Sequence, residues 1–209
     1  MYDERAEEPT MTESTYQEPT NLLLAGVGGQ GVILASFLLS QAALEAGYDI
    51  KQSEVHGMAQ RGGSVVSHLR FGRKVYSPLF TPGMADLLLS FEPLEALRYV
   101  NWLKPTGKLI YNIVQVNPST VSSGAAEYPA GIQERIAEAF PHSLGINAVA
   151  IAEQAGTARA ANLVLLGAIF HDLPFSADVW DTVLKRELKP NILEVNMRAY
   201  ALGKAVAEG

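Results

Sequence analysis

Between residues 21 and 113 the apolar positions fall into two alternating kinds of run. Asn21–Val27, "NLLLAGV", is short, continuously apolar and closed by glycine, whereas residues 31–47, "GVILASFLLSQAALEAG", repeat their apolar positions at helical spacing. This predicts a strand, a tight turn and a helix, with Gly47 as the helix stop. Residues 48–55 read as a second strand. Residues 64–71 and 74–77, joined by Gly72 and Arg73, read as a hairpin. Residues 85–91 predict a strand, 93–103 a helix and 107–113 another strand. The order β-α-β, hairpin, β-α-β implies an α/β fold: a Rossmann-like, mainly parallel sheet with helices on both faces.

The second half reads as a helical C-terminal part. A short helix is expected over 132–140, a strand over 146–151, and a long apolar helix over 158–173. Pro174 breaks that run. Ser176 is placed to cap a helix over 177–188, and Pro190 to open a last one. If the 158–173 helix meets a large partner, it should expose apolar surface.

Composition narrows the class. Residues 1–20 carry six of the 22 acidic residues and one of the 16 basic ones, hence −5 of the net −6. Such a segment offers almost nothing to bury, so a disordered acidic tail is expected, followed by a single α/β domain over 21–209. The near-neutral body has no basic stripe, which argues against nucleic acid. Glycine interrupts every apolar run before membrane-spanning length, and no basic-then-apolar leader is visible, so no membrane and a cytoplasmic location are expected. There is no cysteine, which excludes disulfides and cysteine-held clusters. The four histidines, 56, 68, 142 and 171, have no metal-ligand spacing, so no metal site is expected.

Gly26, Gly28, Gly29, Gln30 and Gly31 lie in a G-x-G-x-x-G between predicted strand and helix. Glycines there let a backbone approach a phosphate at a helix start, or serve only close helix–strand packing. The ribose-binding acid is missing: Asp49 comes too early in the next strand, and Glu54 runs into the following loop. Glu92 and Asn112 lie at carboxyl ends of predicted strands, the ligand-facing edge, although Glu92 also suits the first turn of a helix.

The stretch "SEVHGMAQRGGSVVSHLR", residues 53–70, is the densest in chemistry. Gly57, Gly62 and Gly63 allow close approach of the main chain, Arg61 offers a planar fork of donors for carboxylate or phosphate, and His56 titrates near neutrality with Glu54 two residues before it. Gln60 adds an amide. The same residues could instead cap the loop and form a local ion pair. Arg159 and Asn162 could face a partner, His68 falls within a strand, and His142 and His171 carry no assigned chemistry.

Four motifs in order, "GVGGQGVILAS", "SEVHGMAQRGGSVVSHLRFG", "ADLLLSFEPLEALR" and "ARAANLVLLGAIFHDLPFS", make the chain resemble the gamma-type subunits of 2-oxoacid:ferredoxin oxidoreductases, closest to the indolepyruvate branch. The resemblance spans the chain from about Asn21. It implies a subunit inactive alone, with no cofactor of its own, beside a large subunit that holds thiamine diphosphate and iron–sulfur clusters. The complex would oxidatively decarboxylate an aryl 2-oxoacid with coenzyme A and pass electrons to ferredoxin. On this reading His56 and Arg61 play supporting catalytic roles, and Glu54, Gly57, Gln60, Gly62 and Gly63 border the substrate or coenzyme A region. Three other readings stand beside it: a free-standing nucleotide- or flavin-binding protein using Gly26–Gly31, a pure assembly subunit, and a homologue repurposed without its partner.

Overall fold

The computed structural model describes residues 18–56 and 62–207. Residues 1–17 of the tail expected over 1–20, residues 57–61 and residues 208–209 lie outside the described residues, while Thr20 already belongs to the first strand. In chain order the elements are β1 (Thr20–Val27), α1 (Val32–Glu45), β2 (Asp49–His56), β3 (Ser64–Gly72), β4 (Ala85–Ser90), α2 (Pro93–Tyr99) and β5 (Leu103–Asn112). There follow α3 (Ser119–Ser122), α4 (Ile132–Ala139), β6 (Leu144–Ile146), α5 (Ala148–Ala155), α6 (Ala161–Ala168), α7 (Ala177–Glu187) and α8 (Pro190–Val206).

The six strands form one sheet in the order β2-β3-β1-β4-β5-β6. β1, β4, β5 and β6 run parallel, while β3 is antiparallel to β1, and β2 to β3. The continuous apolar strands are those buried on both faces. Leu22 and Leu24 of β1 pack with α1 and the C-terminal helices, whereas Leu23 and Ala25 pack on the opposite face with Ala96 of α2 and Ile132 and Ile136 of α4. β2, with its polar "DIKQSEVH", forms one edge of the sheet, where lysine and other polar side chains discourage further pairing.

Several sequence expectations are corrected. Residues 74–77 form no strand. Both edges of β3 are taken, by β1 and by β2, so the hairpin is β2–β3 and nothing remains for a strand at 74–77 to pair with. The strand expected over 146–151 ends at Ile146. Asn147 then caps α5, its side chain accepting from Ala150 N at 3.0 Å. The single helix expected over 158–173 is α6 with a 3₁₀ turn on either side.

Nor does α6 expose apolar surface. Its residues from Asn162 to Ala168 are buried, crossing α8 where Gly167 and Gly203 bring the two backbones into contact. The exposed large apolar side chains include Ile33, Phe37 and Leu44, which share one face of α1, and Tyr76, Leu79 and Met84 beyond β3. Among the described residues no helix is long and apolar enough to cross a membrane.

Candidate functional site

The carboxyl ends of the parallel strands and the opening of the β2–β3 hairpin meet at one edge of the sheet. Val27, the last residue of β1, pairs with Ser64, the first of β3, and His56, the last of β2, pairs with Val65. Sheet register therefore plants both arms of the glycine-rich loop beside the Gly26–Gly31 turn. Gly28 N donates to Gly63 O at 2.8 Å and Gly62 N to Gly28 O at 3.3 Å, while Gly62 O accepts from Ser119 N at 2.8 Å. Gly62 has φ 76°, and a β-carbon on it would lie 3.2 Å from Ser119. Only glycine meets both demands without strain.

The turn itself is largely engaged within the protein. Gln30 reaches across to the next strand: its Oε1 accepts from Val27 N at 2.7 Å and its Nε2 donates to Phe91 O at 2.8 Å. Its side chain thus bridges the ends of β1 and β4, where the strand order reverses and a dinucleotide would lie in a Rossmann fold. A β-carbon on Gly26 would come within 2.7 Å of Val32 and 2.8 Å of Phe91, so close packing accounts for that glycine. The backbone N–H groups of Gly28 and Gln30 already have protein acceptors. The free-standing nucleotide-binding reading is not favoured by this arrangement.

Of the loop residues singled out from sequence, Gly57, Gln60 and Arg61 lie outside the described residues. His56 closes β2. Glu54 is exposed and tied to α1: its Oε1 accepts from Gln52 Nε2 at 2.7 Å and from Ser36 Oγ at 3.3 Å.

Sequence reasoning named Glu92, as a strand-end or helix-start acid, but missed the polar cluster it forms beside Ser64. Glu92 is fully buried and caps α2, its Oε2 accepting from Glu95 N at 3.1 Å. Its Oε1 accepts from the Tyr128 hydroxyl at 2.5 Å and from Val116 N at 3.4 Å. Glu95, buried one turn on, accepts from Ser64 Oγ at 2.5 Å and faces Arg98 at 3.4 Å. Burial raises the Glu95 carboxyl above its ordinary value; Ser64 and Arg98 oppose the rise and the Glu92 charge adds to it. Burial, then the Glu92 contact, pushes the Tyr128 hydroxyl well above the usual tyrosine range. The signal available in sequence was the Glu92-Pro-Leu-Glu95 spacing, which has the form of a helix-capping pair.

Asn112 is buried and structural: it donates to Phe91 O at 3.3 Å and accepts from Ala148 N at 3.1 Å, lacing β5 to β4 and α5. His68 is buried edge-on between Phe80 and Trp102, and burial lowers its pKa from 6.5. Among the described residues no three His, Cys, Asp or Glu side chains converge to hold a metal.

Fold and site together define an α/β domain whose β2–β3 hairpin opens beside a bridged Rossmann crevice. The sequence profile described as pyruvate ferredoxin/flavodoxin oxidoreductase matches residues 21–206, and the chain belongs to that family. It is 42% identical over 193 residues to a protein of Pyrococcus horikoshii named indolepyruvate oxidoreductase subunit IorB, covering 90% of this chain and 96% of that one. The gamma subunit of a keto/oxoacid ferredoxin oxidoreductase from Geobacter sulfurreducens superposes with TM-score 0.65 at 23% identity, over 90% of this chain and 98% of that one. A 2-oxoglutarate:ferredoxin oxidoreductase from Magnetococcus marinus, solved with 2-oxoglutarate, coenzyme A and succinyl-CoA bound, gives TM-score 0.69 at 19% identity. That likeness covers 92% of this chain and 32% of the longer one. The two structural likenesses show the fold.

Proposed function

We propose that this chain is the cluster-free small subunit of a cytoplasmic, thiamine-diphosphate-dependent 2-oxoacid:ferredoxin oxidoreductase that takes indolepyruvate or another aryl 2-oxoacid. The observation that carries the reading is the near end-to-end match to a protein named as an indolepyruvate oxidoreductase subunit, at 42% identity. The absence of cysteine from the sequence fits a division in which a larger partner ligates the iron–sulfur clusters and holds thiamine diphosphate. Exposed Ile33, Phe37 and Leu44 on α1 support the existence of a partner-covered face.

In the complex the 2-oxoacid loses its carboxyl group as carbon dioxide and its acyl carbon forms a thioester with coenzyme A. The two electrons released reduce two ferredoxins, and the thiol proton leaves to solvent. The chain contributes the hairpin loop that borders the coenzyme A or 2-oxoacid region. Arg61 supplies a donor fork for a carboxylate or phosphate, and His56 hydrogen-bonds or relays a proton. Glu54, Gly57, Gln60, Gly62 and Gly63 form the rest of that wall.

The test is to produce the chain together with its larger subunit and follow viologen reduction that depends on coenzyme A and indolepyruvate. His56→Ala and Arg61→Ala should assemble normally and lower turnover. Normal turnover with both variants removes the proposed roles. Loss of assembly with intact chemistry in what does assemble returns the loop to a docking role.

A further inference from the structure

Glu95 is buried without serving its own helix. Its spacing from Glu92 has the form of a capping pair, in which the later side chain returns to the backbone N–H of the first residue. Here the Glu92 N–H goes to Ser90 Oγ at 3.5 Å instead, and the Glu95 carboxylate turns to Ser64, the first residue of β3. Tyr99, one turn further along α2, brings its hydroxyl to 3.5 Å from the same Ser64 oxygen. Arg98 pairs with Glu95 at 3.4 Å but is half exposed.

Such an arrangement is costly. Glu95 is 1% exposed and Glu92 0%, so two neighbouring carboxylates give up their hydration. An apolar side chain at position 95 would fill the place without that penalty, so stability alone gives no reason for the carboxylate. What the carboxylate adds is a fixed location for Ser64. Gly62 and Gly63, immediately before it, have no side chains with which to anchor themselves, and Gly62 holds φ 76°. Gly62 O accepts from Ser119 N and Gly63 O from Gly28 N, each at 2.8 Å. Those bonds tie the two glycines to α3 and to the glycine turn, and the Ser64–Glu95 bond ties them to α2.

We infer that Ser64 and Glu95 are positioning residues of the reaction, which through Gly62 and Gly63 hold the edge of the coenzyme A or 2-oxoacid region in its productive place. This rests on the proposed function, which assigns those glycines to that edge. The pair acts through the backbone it anchors and touches no substrate itself.

The double variant Ser64→Ala/Glu95→Met separates positioning from stability. Ser64→Ala alone strands a buried carboxylate and lowers the melting temperature. Removing that carboxylate as well should return the melting temperature of the full chain to that of the parent or above. Amide hydrogen exchange at Gly62 and Gly63 should nevertheless stay about tenfold faster than in the parent. In the complex with the larger subunit, kcat/KM for coenzyme A or indolepyruvate should stay about tenfold lower, with most of the loss in KM. Ser64→Thr, which keeps the hydroxyl, and Glu95→Gln, which keeps an acceptor, should stay near the parent in both measurements. Recovery of exchange and kcat/KM along with the melting temperature overturns the inference, as does a double variant no more stable than Ser64→Ala. Parent-like exchange at Gly62 and Gly63 in the double variant overturns it too. An inactive parent complex counts against the proposed function, while exchange in the chain alone still decides whether the pair anchors the two glycines.

Discussion

The Ser64 hydroxyl donates to the buried Glu95 carboxylate at 2.5 Å, fastening the exit arm of the glycine-rich loop to the first turn of α2. Ser64 follows Gly62 and Gly63, whose own backbone groups reach Gly28 and Ser119. The arm is thus held from three sides before the chain enters β3.

Ser64→Ala leaves Glu95 with Arg98 as its remaining charged partner, at 3.4 Å. A loss of about 1–3 kcal/mol in unfolding free energy is expected by chemical denaturation. Glu95→Gln should behave differently. The folded pKa of Glu95 is raised above 4.5, so its contribution is fully present below that value and is lost as pH rises through the folded value. Melting temperatures of the parent chain should therefore decline over that rise, and those of Glu95→Gln should decline less.

His68 has the opposite sign. Its folded pKa is lowered from 6.5 by burial between Phe80 and Trp102. Stability is full above 6.5 and falls as pH drops from there toward the folded value, because only the unfolded chain takes up the proton. His68→Phe should flatten this limb in melts recorded between neutral and mildly acidic pH.

Gly62→Ala sets a β-carbon at φ 76°, 3.2 Å from Ser119. A cost of at least about 1 kcal/mol is expected from the backbone alone, with α3 displaced from the loop arm. Equilibrium unfolding of the chain and turnover of the assembled complex should both register the change.

Gly167 and Gly203 lie where α6 and α8 touch. A β-carbon on Gly167 would come 2.1 Å from Tyr200 O, and one on Gly203 would come 2.0 Å from Val164 O. Either alanine must push the helices apart, and a loss of about 3 kcal/mol is expected by chemical denaturation. Serine should be no better tolerated at either position, since the obstacle is backbone.

Much of this architecture was legible in the chain. "NLLLAGV" and "ADLLLSF" read as strands because both faces of a central parallel strand are buried, leaving no polar alternation. The helix stops and caps at Gly47 and Ser176 also appear where local chemistry puts them. What misled was local ambiguity. "INAVAI" is too short for its period to separate strand from helix, and Asn147 within it was the overlooked cap. "KVYS" has strand composition, but pairing depends on a free neighbouring edge, which composition does not report.

The sequence by itself determined the α/β class, the glycine turn and the loop between β2 and β3, because these follow from periodicity and backbone freedom within a few residues. The order of strands, the Gln30 bridge and the Ser64–Glu95 contact were decided only by tertiary structure. Each joins groups separated along the chain or across strands, and what brings them together is the burial of two sheet faces under different helices.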